Sequence, residues 1–532
     1  MSDLESNKEK LHITLEKIDT LNSNKAHVNG SEADTTLKFI NQHAHLVTTP
    51  LTPESEQRIR WKLFIWLVPL LMLINTILFL DKSALSYGVL LGLFQDVNIT
   101  TDQYNNLNSI FYTGYLLGQI PMHFILQRLN FGKFISITLF IWCILTFLTV
   151  LASNYGGLIV LRFLLGFFES IVLPALEITL LQFFNAKERA MINPIFWTTC
   201  VGPSVWIGGF ISYGLLHLES SISNWKIFLI IIGGLTLLTS ILSWFIYPSN
   251  PAEAKFLTIE ERVLLINKIQ NQSNSSIEQK KVKPYQIKEC FKDPISWLFL
   301  AFALTSMIMN NIMFQANILY ESLGVSNLGS TLVNVAGGGF ATLYLIGGVI
   351  FIYKVKNSTA WIILIGAIPG LAGSIGMVTI PYDKKLALVA CLVLAGNTFA
   401  LSFIAAVGWS TSTASGYTKK FYRNIMFMFG YCIANIISPQ IWKGNQAPRY
   451  YPAWGIQIVI SFFIPVVIGF IIHIILQKRN QERLKFIKEN PDSKFGQVII
   501  NDLETGEEII EKVEIANLDL TDLENKTFIY PL

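Results

Sequence analysis

Twelve times along this chain a run of about twenty apolar residues recurs, broken by short polar stretches. A bilayer core of about 30 Å needs roughly 20 apolar residues in a helix to cross it. A helix is also the element that satisfies all its own backbone hydrogen bonds where there is no water. The runs lie near 62–83, 105–127, 134–153, 157–181, 192–216 and 226–247, then near 296–319, 329–353, 359–380, 386–408, 421–442 and 452–476. The pattern predicts an all-α membrane protein of 12 transmembrane helices. Composition agrees: 14% of residues are charged, where soluble domains carry about a quarter. The 37 Phe and 12 Trp suit a lipid-facing surface with interfacial aromatics.

The spans fall as six, a polar stretch of about 47 residues, then six. This divides the chain into an N-terminal tail (1–60), a six-helix bundle (61–247), a central loop (248–294), a second bundle (295–476) and a C-terminal tail (477–532). The first tail lacks a basic-then-apolar signal, so the first apolar run acts as an uncleaved insertion signal. Loop charges set the orientation. With the N-terminus in the cytosol, the inner loops hold Arg128, Lys133, Lys187, Arg189, Lys354, Lys356, Lys419, Lys420 and Arg423. The outer loops hold Lys226, Lys384, Lys385, Lys443 and Arg449. Both termini are expected in the cytosol. In the central loop, Thr258 and Glu261 form a capping box that opens the amphipathic stretch TIEERVLLINKI, and NQSNSSIEQKK follows as a linker.

Several function classes are excluded. Net charge is only +4, with no basic block interleaved with aromatics, so nucleic acid is not an expected partner. The five Cys include no CxxC pair and read as apolar packing residues, not a disulfide framework or zinc site. No HExxH, GxSxG or paired-aspartate signature marks an enzyme, and no filter motif marks a channel. The expected partners are the lipid bilayer and a small solute, with the chain acting as a monomer.

Ionisable side chains inside a span cost a few kcal/mol unless paired or hydrated, so each is a functional candidate. Helix 1 ends LFLDKSALSYG, placing Asp81 beside Lys82 after about 18 uncharged residues. The alternative reading is an interfacial pair capping a shorter span. Helix 4 carries Arg162 and Glu169 seven residues apart, within about 20° of one face. A buried acid beside a cation stays ionised, and occupying the cation raises its proton affinity. A solute carboxylate that takes the cation therefore lets the acid take a proton. A static ion pair is the alternative. Glu177 lies about 80° further round the helix and suits a gate or interface.

Asn310, Asn311, Gln315 and Asn317 put four amides in eight residues of helix 7. They are expected to bond either a solute or neighbouring helices, with Asn397 and Asn435 as weaker candidates of the same kind. His123, His217 and His473 lie near span ends and read as interfacial. Asn98-Ile-Thr100 is a glycosylation sequon in an expected outer loop.

These segments resemble the major facilitator superfamily, and within it the anion:cation symporter branch and the fungal allantoate permease group. FLDKSAL stands where that branch has an Asp-Arg pair, with Lys82 in place of Arg. VLRFLLGFFES is similar to its helix 4 motif at Arg162 and Glu169, and FFNAKERA, SNPAEAKFLTIEER and SASGYTKK to its loop signatures. The resemblance implies a major facilitator fold with a 6+6 pseudo-repeat and a midplane site. It implies protonation at Asp81 and Glu169, the proton being the coupling ion with no other cofactor, and anion handling by Lys82 and Arg162. Lys is a point charge and cannot grip a carboxylate bidentately as Arg does. SIEQK, IANIISPQIW and the ending DLTDLENKTFIYPL resemble a cysteine carrier of this family, so the implied activity is proton symport importing cysteine. The alternatives are a same-fold permease for allantoate, nicotinate, pantothenate, biotin or dipeptides, and a nutrient sensor that binds without transporting. The plasma membrane is the expected location, with the endoplasmic reticulum as the alternative.

Overall fold

The computed structural model describes residues 52–126, 128–273, 283–355, 357–490, 495–501, 508–514 and 520–532. The N-terminal tail up to Leu51, most of the expected linker (274–282) and Lys356 lie outside the described residues.

Among the described residues, eleven helices are long and apolar enough to cross a membrane. The expected twelfth, Thr101–Leu126, has the length at 26 residues, but it opens with the polar stretch TDQYNNLNS. In chain order the membrane segments are α1 Pro53–Lys82, α2 Thr101–Leu126, α3 Phe131–Leu151, α4 Tyr155–Phe183, α5 Ile192–Leu215 and α6 Asn224–Ile246. The second half holds α7 Pro294–Ser322, α8 Asn327–Phe351, α9 Thr359–Thr379, α10 Lys385–Ser412, α11 Thr418–Ile441 and α12 Tyr451–Glu489. The face where α1 begins and α12 ends is called the tail face below.

Within the first half, α2 packs on α4 and α3 on α6; within the second, α7 packs on α11 and α9 on α10. The halves meet where α2 touches α11 and α5 touches α8. Shifting by six turns the first contact into the second, as a two-fold repeat requires. The α2–α4 seam is made by glycine: a Cβ at Gly114, Gly118 or Gly166 would collide with the facing backbone. This is the close approach that small residues permit between membrane helices.

Several spans have a break in their helix. The first stops at Lys82 and resumes as Ala84–Leu90. The fourth breaks after Glu169 and resumes at Val172, α7 contains a 3-10 turn at Met307–Met309, and α10 breaks at Asn397–Thr398. Irregular backbone within a span is tolerated where protein or a cavity surrounds it.

Two loop helices brace the tail face. Ile259–Ser273 opens with the expected Thr258–Glu261 capping box. It docks on the first half, Glu261 taking Lys62 at 2.7 Å and Lys268 reaching Glu188 at 2.6 Å and Glu56 at 2.9 Å. The amide hydrogen bond of the Glu261 side chain and Lys62 together outweigh desolvation and hold that carboxyl below its ordinary value. Pro284–Lys292 docks on the second half through Glu289, 2.8 Å from Lys419.

The second tail carries structure of its own. Helix α12 continues to Glu489, past the expected end at 476. An antiparallel hairpin follows, β1 Phe495–Asn501 and β2 Glu508–Glu514, with Phe495 opposite Glu514. Residues 520–532 then fold back onto the tail face, with Thr521 and Asp522 fully buried.

Candidate substrate and ion site

The two charged motifs meet at the breaks in the first and fourth spans. Asp81, Lys82, Arg162 and Glu169 are all buried, with Glu169 at 0% exposure. The pair Asp81–Lys82 ends α1, helix resumes at Ala84, and both side chains are buried in protein. Lys82 Nζ stands 3.2 Å from Glu169 Oε1. Asp81 sits in the electrostatic field of Arg162, beside Trp142 and Thr146. Glu169 therefore finds its cation on the other helix, while Asp81 feels both Arg162 across the helices and its neighbour Lys82. Asp81 Oδ2 and Arg162 Nε have no hydrogen-bond partner among the described residues, which leaves polar valence for a solute.

Aromatic rings enclose the cation. Lys82 Nζ lies 5.1 Å from the ring centroids of both Phe79 and Tyr115, close enough for cation–π attraction. Tyr115 and Tyr112 come from α2, positioned by the glycine seam. Across the interface stand Tyr431 and Cys432 of α11, with the Tyr112 and Tyr431 rings 5.9 Å apart. Cys432 Sγ meets Gln119 Nε2 at 3.7 Å. All five Cys are free. These aromatic residues are not among those expected from the sequence; on the α2 side, the signal available was the Tyr112/Tyr115 pair of FYTGY, spaced three apart on a glycine-bearing helix.

Two of the four amides bond α11 of their own half and two reach the partner half. Asn310 donates to Asn435 Oδ1 at 2.7 Å, and Asn311 to Ser438 O at 3.5 Å. Gln315 donates to Asn105 Oδ1 at 2.5 Å, and Asn317 to Ser86 O at 2.8 Å. Of the two expected roles, the structure displays the helix-bridging one. The Gln315 and Asn317 bonds, with Asn105 donating to Trp442 O at 2.6 Å and Gly444 N to Asp102 at 3.1 Å, tie the halves together on the side away from the tail face. Asn397 sits at the α10 break and lines a cavity of about 30 Å³ with Ser83, Ser86, Asn317, Tyr320 and Asn334. This cavity lies one turn beyond Lys82.

The remaining candidates sit apart. Glu177 lies near Trp197 and Arg189. His123 holds Gln119 O and packs on Phe421, and His217 is exposed. Asn98 is exposed at the end of Leu93–Val97, in a left-handed turn with φ 54°. Among the described residues, no group of three or more His, Cys, Asp or Glu is placed to hold a metal ion.

The fold and this buried polar site define an integral membrane carrier of many spans. The description "Major Facilitator Superfamily" matches residues 71–439, and the chain belongs to that family. It is 43% identical over 508 residues to the high affinity cysteine transporter of Saccharomyces cerevisiae, covering 94% of this chain and 95% of that one. It is 28% identical over 499 residues to the allantoate permease of the same yeast, covering 91% and 88%. Among solved structures, the partially occluded inward-open xylose transporter XylE from E. coli superposes with a TM-score of 0.52 at 13% identity, over 77% of this chain and 96% of that one. That likeness speaks to the fold alone.

Proposed function

We propose that this transporter is a proton symporter that imports cysteine, or a closely related small carboxylate, across the plasma membrane as a monomer. The buried Lys82–Glu169 pair, with Asp81 and Arg162 beside it, carries the proton part of this reading. The carboxylate of the solute competes with Glu169 for Lys82 and with Asp81 for Arg162. An acid that loses its cation inside a low-dielectric bundle gains affinity for a proton. Solute and proton then enter the site together and leave together. Lys82 offers a movable point charge where an Arg would clamp, which suits a cation that must change partners in every cycle. The 43% identity to a cysteine transporter supports the choice of solute.

Uptake of radiolabelled cysteine by cells expressing the chain, with and without a proton uncoupler, tests the reading. Accumulation that the uncoupler abolishes is the expected result. Entry of allantoate but not cysteine would overturn the solute assignment. Stabilisation of the purified protein by a ligand that never enters would indicate a sensor.

A further inference from the structure

The second half has a piece that alternating access does not require. Residues 520–532 return to the tail face and complete a charge cluster there. Lys419 Nζ lies 2.8 Å from Asp522 Oδ1 and 2.8 Å from Glu289 Oε1. The neighbouring Thr521 Oγ1 donates to Glu289 Oε2 at 2.9 Å, and Tyr530 donates to Asp522 Oδ2 at 2.9 Å. Asp522 is 0% and Tyr530 2% exposed.

The segment also ties helix ends together. Ser415, in the turn between α10 and α11, donates its hydroxyl to Leu520 O at 2.8 Å and its amide to Asp522 at 3.3 Å. Trp409 of α10 donates to Pro531 O at 2.9 Å. Asn480 of α12 exchanges two 2.8 Å hydrogen bonds with the Tyr530 backbone.

What this holds in place is the tail-face end of α11, and α11 is a wall between the halves. Two residues past Lys419, Phe421 packs edge-on to His123 of α2, centroids 6.3 Å apart. Further along the same helix, Cys432 meets Gln119 and Ile436 O accepts from Ser109, both on α2.

We propose that residues 520–532 are a latch that sets the α11 end against α2, and that its release is a step in opening the tail face. The energetics favour a latch over a permanent staple. Stripping a buried charge of every partner is strongly unfavourable. Lys419, however, keeps Glu289 at 2.8 Å and Asp293 at 3.3 Å when Asp522 leaves, and Asp522 and the Tyr530 hydroxyl return to water. Undocking therefore strands no buried ion.

Amide hydrogen exchange on the full-length protein in proteoliposomes tests this whatever the solute is. Asp522→Asn weakens the Lys419 contact. Tyr530→Phe removes one hydroxyl, so it provides a test even if the first variant folds poorly. The expected result in each is several-fold faster exchange in the first turns of α11 and in the facing end of α2 around His123, with α3 and α6 unchanged. Faster exchange confined to residues 520–532 and α12, or no change in either variant, would overturn the proposal.

Discussion

Replacing Glu169 by Gln removes one carboxylate and almost no volume from the centre of the site. The side chains of the pair are 4% and 0% exposed and 3.2 Å apart. At an effective dielectric of about 20, two unit charges at that distance attract by about 5 kcal/mol. Desolvation offsets much of this, and removing one partner of a buried pair typically costs about 3–5 kcal/mol. The variant should therefore be less stable but folded, because Asp81 remains beside Lys82. Its transport should change in kind. One pH unit supplies about 1.4 kcal/mol per proton, so a carrier moving one proton per solute accumulates about ten-fold. A Gln at 169 cannot take the proton. In proteoliposomes with a one-unit pH gradient and no potential, the wild type should concentrate labelled cysteine about ten-fold, while Glu169→Gln should equilibrate it and still exchange internal for external solute. A Glu169→Gln protein that concentrates cysteine ten-fold would refute the reasoning.

Two further outcomes follow from the geometry. Arg162→Ala removes a charged donor whose Nε is unspent. A hydrogen bond to a charged group contributes about 1.5–3 kcal/mol, so the half-saturation concentration for cysteine should rise roughly ten- to a hundred-fold, with Arg162→Lys between; an unchanged value in both would remove Arg162 from the anion site. Asp293 stands outside the spans. Burial pushes its carboxyl up, but Arg423 at 2.7 Å, Arg479 at 3.0 Å and Lys419 at 3.3 Å outweigh it and hold it below its ordinary 3.8. A depressed carboxyl stabilises the fold above its unfolded value and loses that contribution as pH falls through the folded one. Asp293→Asn should therefore lower the melting temperature at pH 7, and the gap to wild type should close below about pH 4; a gap independent of pH would contradict the assignment.

The spans were legible because hydrophobic length is a local property, and the four charges because few other residues in those runs are charged, Glu177 among them. Their partnership was not. Helical spacing relates Arg162 to Glu169 and adjacency relates Asp81 to Lys82, but the Lys82–Glu169 contact depends on the glycine seam and on the breaks at Ser83 and Ser170, which are tertiary. The same limit applies to Asn310 and Gln315: sequence shows costly amides, while only the fold shows that Asn435 and Asn105 stand opposite. The ending DLTDLENKTFIYPL has too few apolar residues for sequence to show that it docks. Its Thr521, Asp522 and Tyr530 are buried by hydrogen bonds and by Lys419, Arg483 and Asn480, residues far away in the chain. Helix α2 is polar at its first turns because Asn105 and Asp102 meet the other half there.

The central claim is that solute and proton move together, and the most direct measurement is proton movement itself. Proteoliposomes holding the purified protein and a pH-sensitive dye, with no gradient and potential clamped at zero, would receive external cysteine. The account predicts that the lumen acidifies as labelled cysteine enters, and that Glu169→Gln abolishes the acidification. Cysteine entry at the wild-type rate with no change in lumenal pH would contradict it.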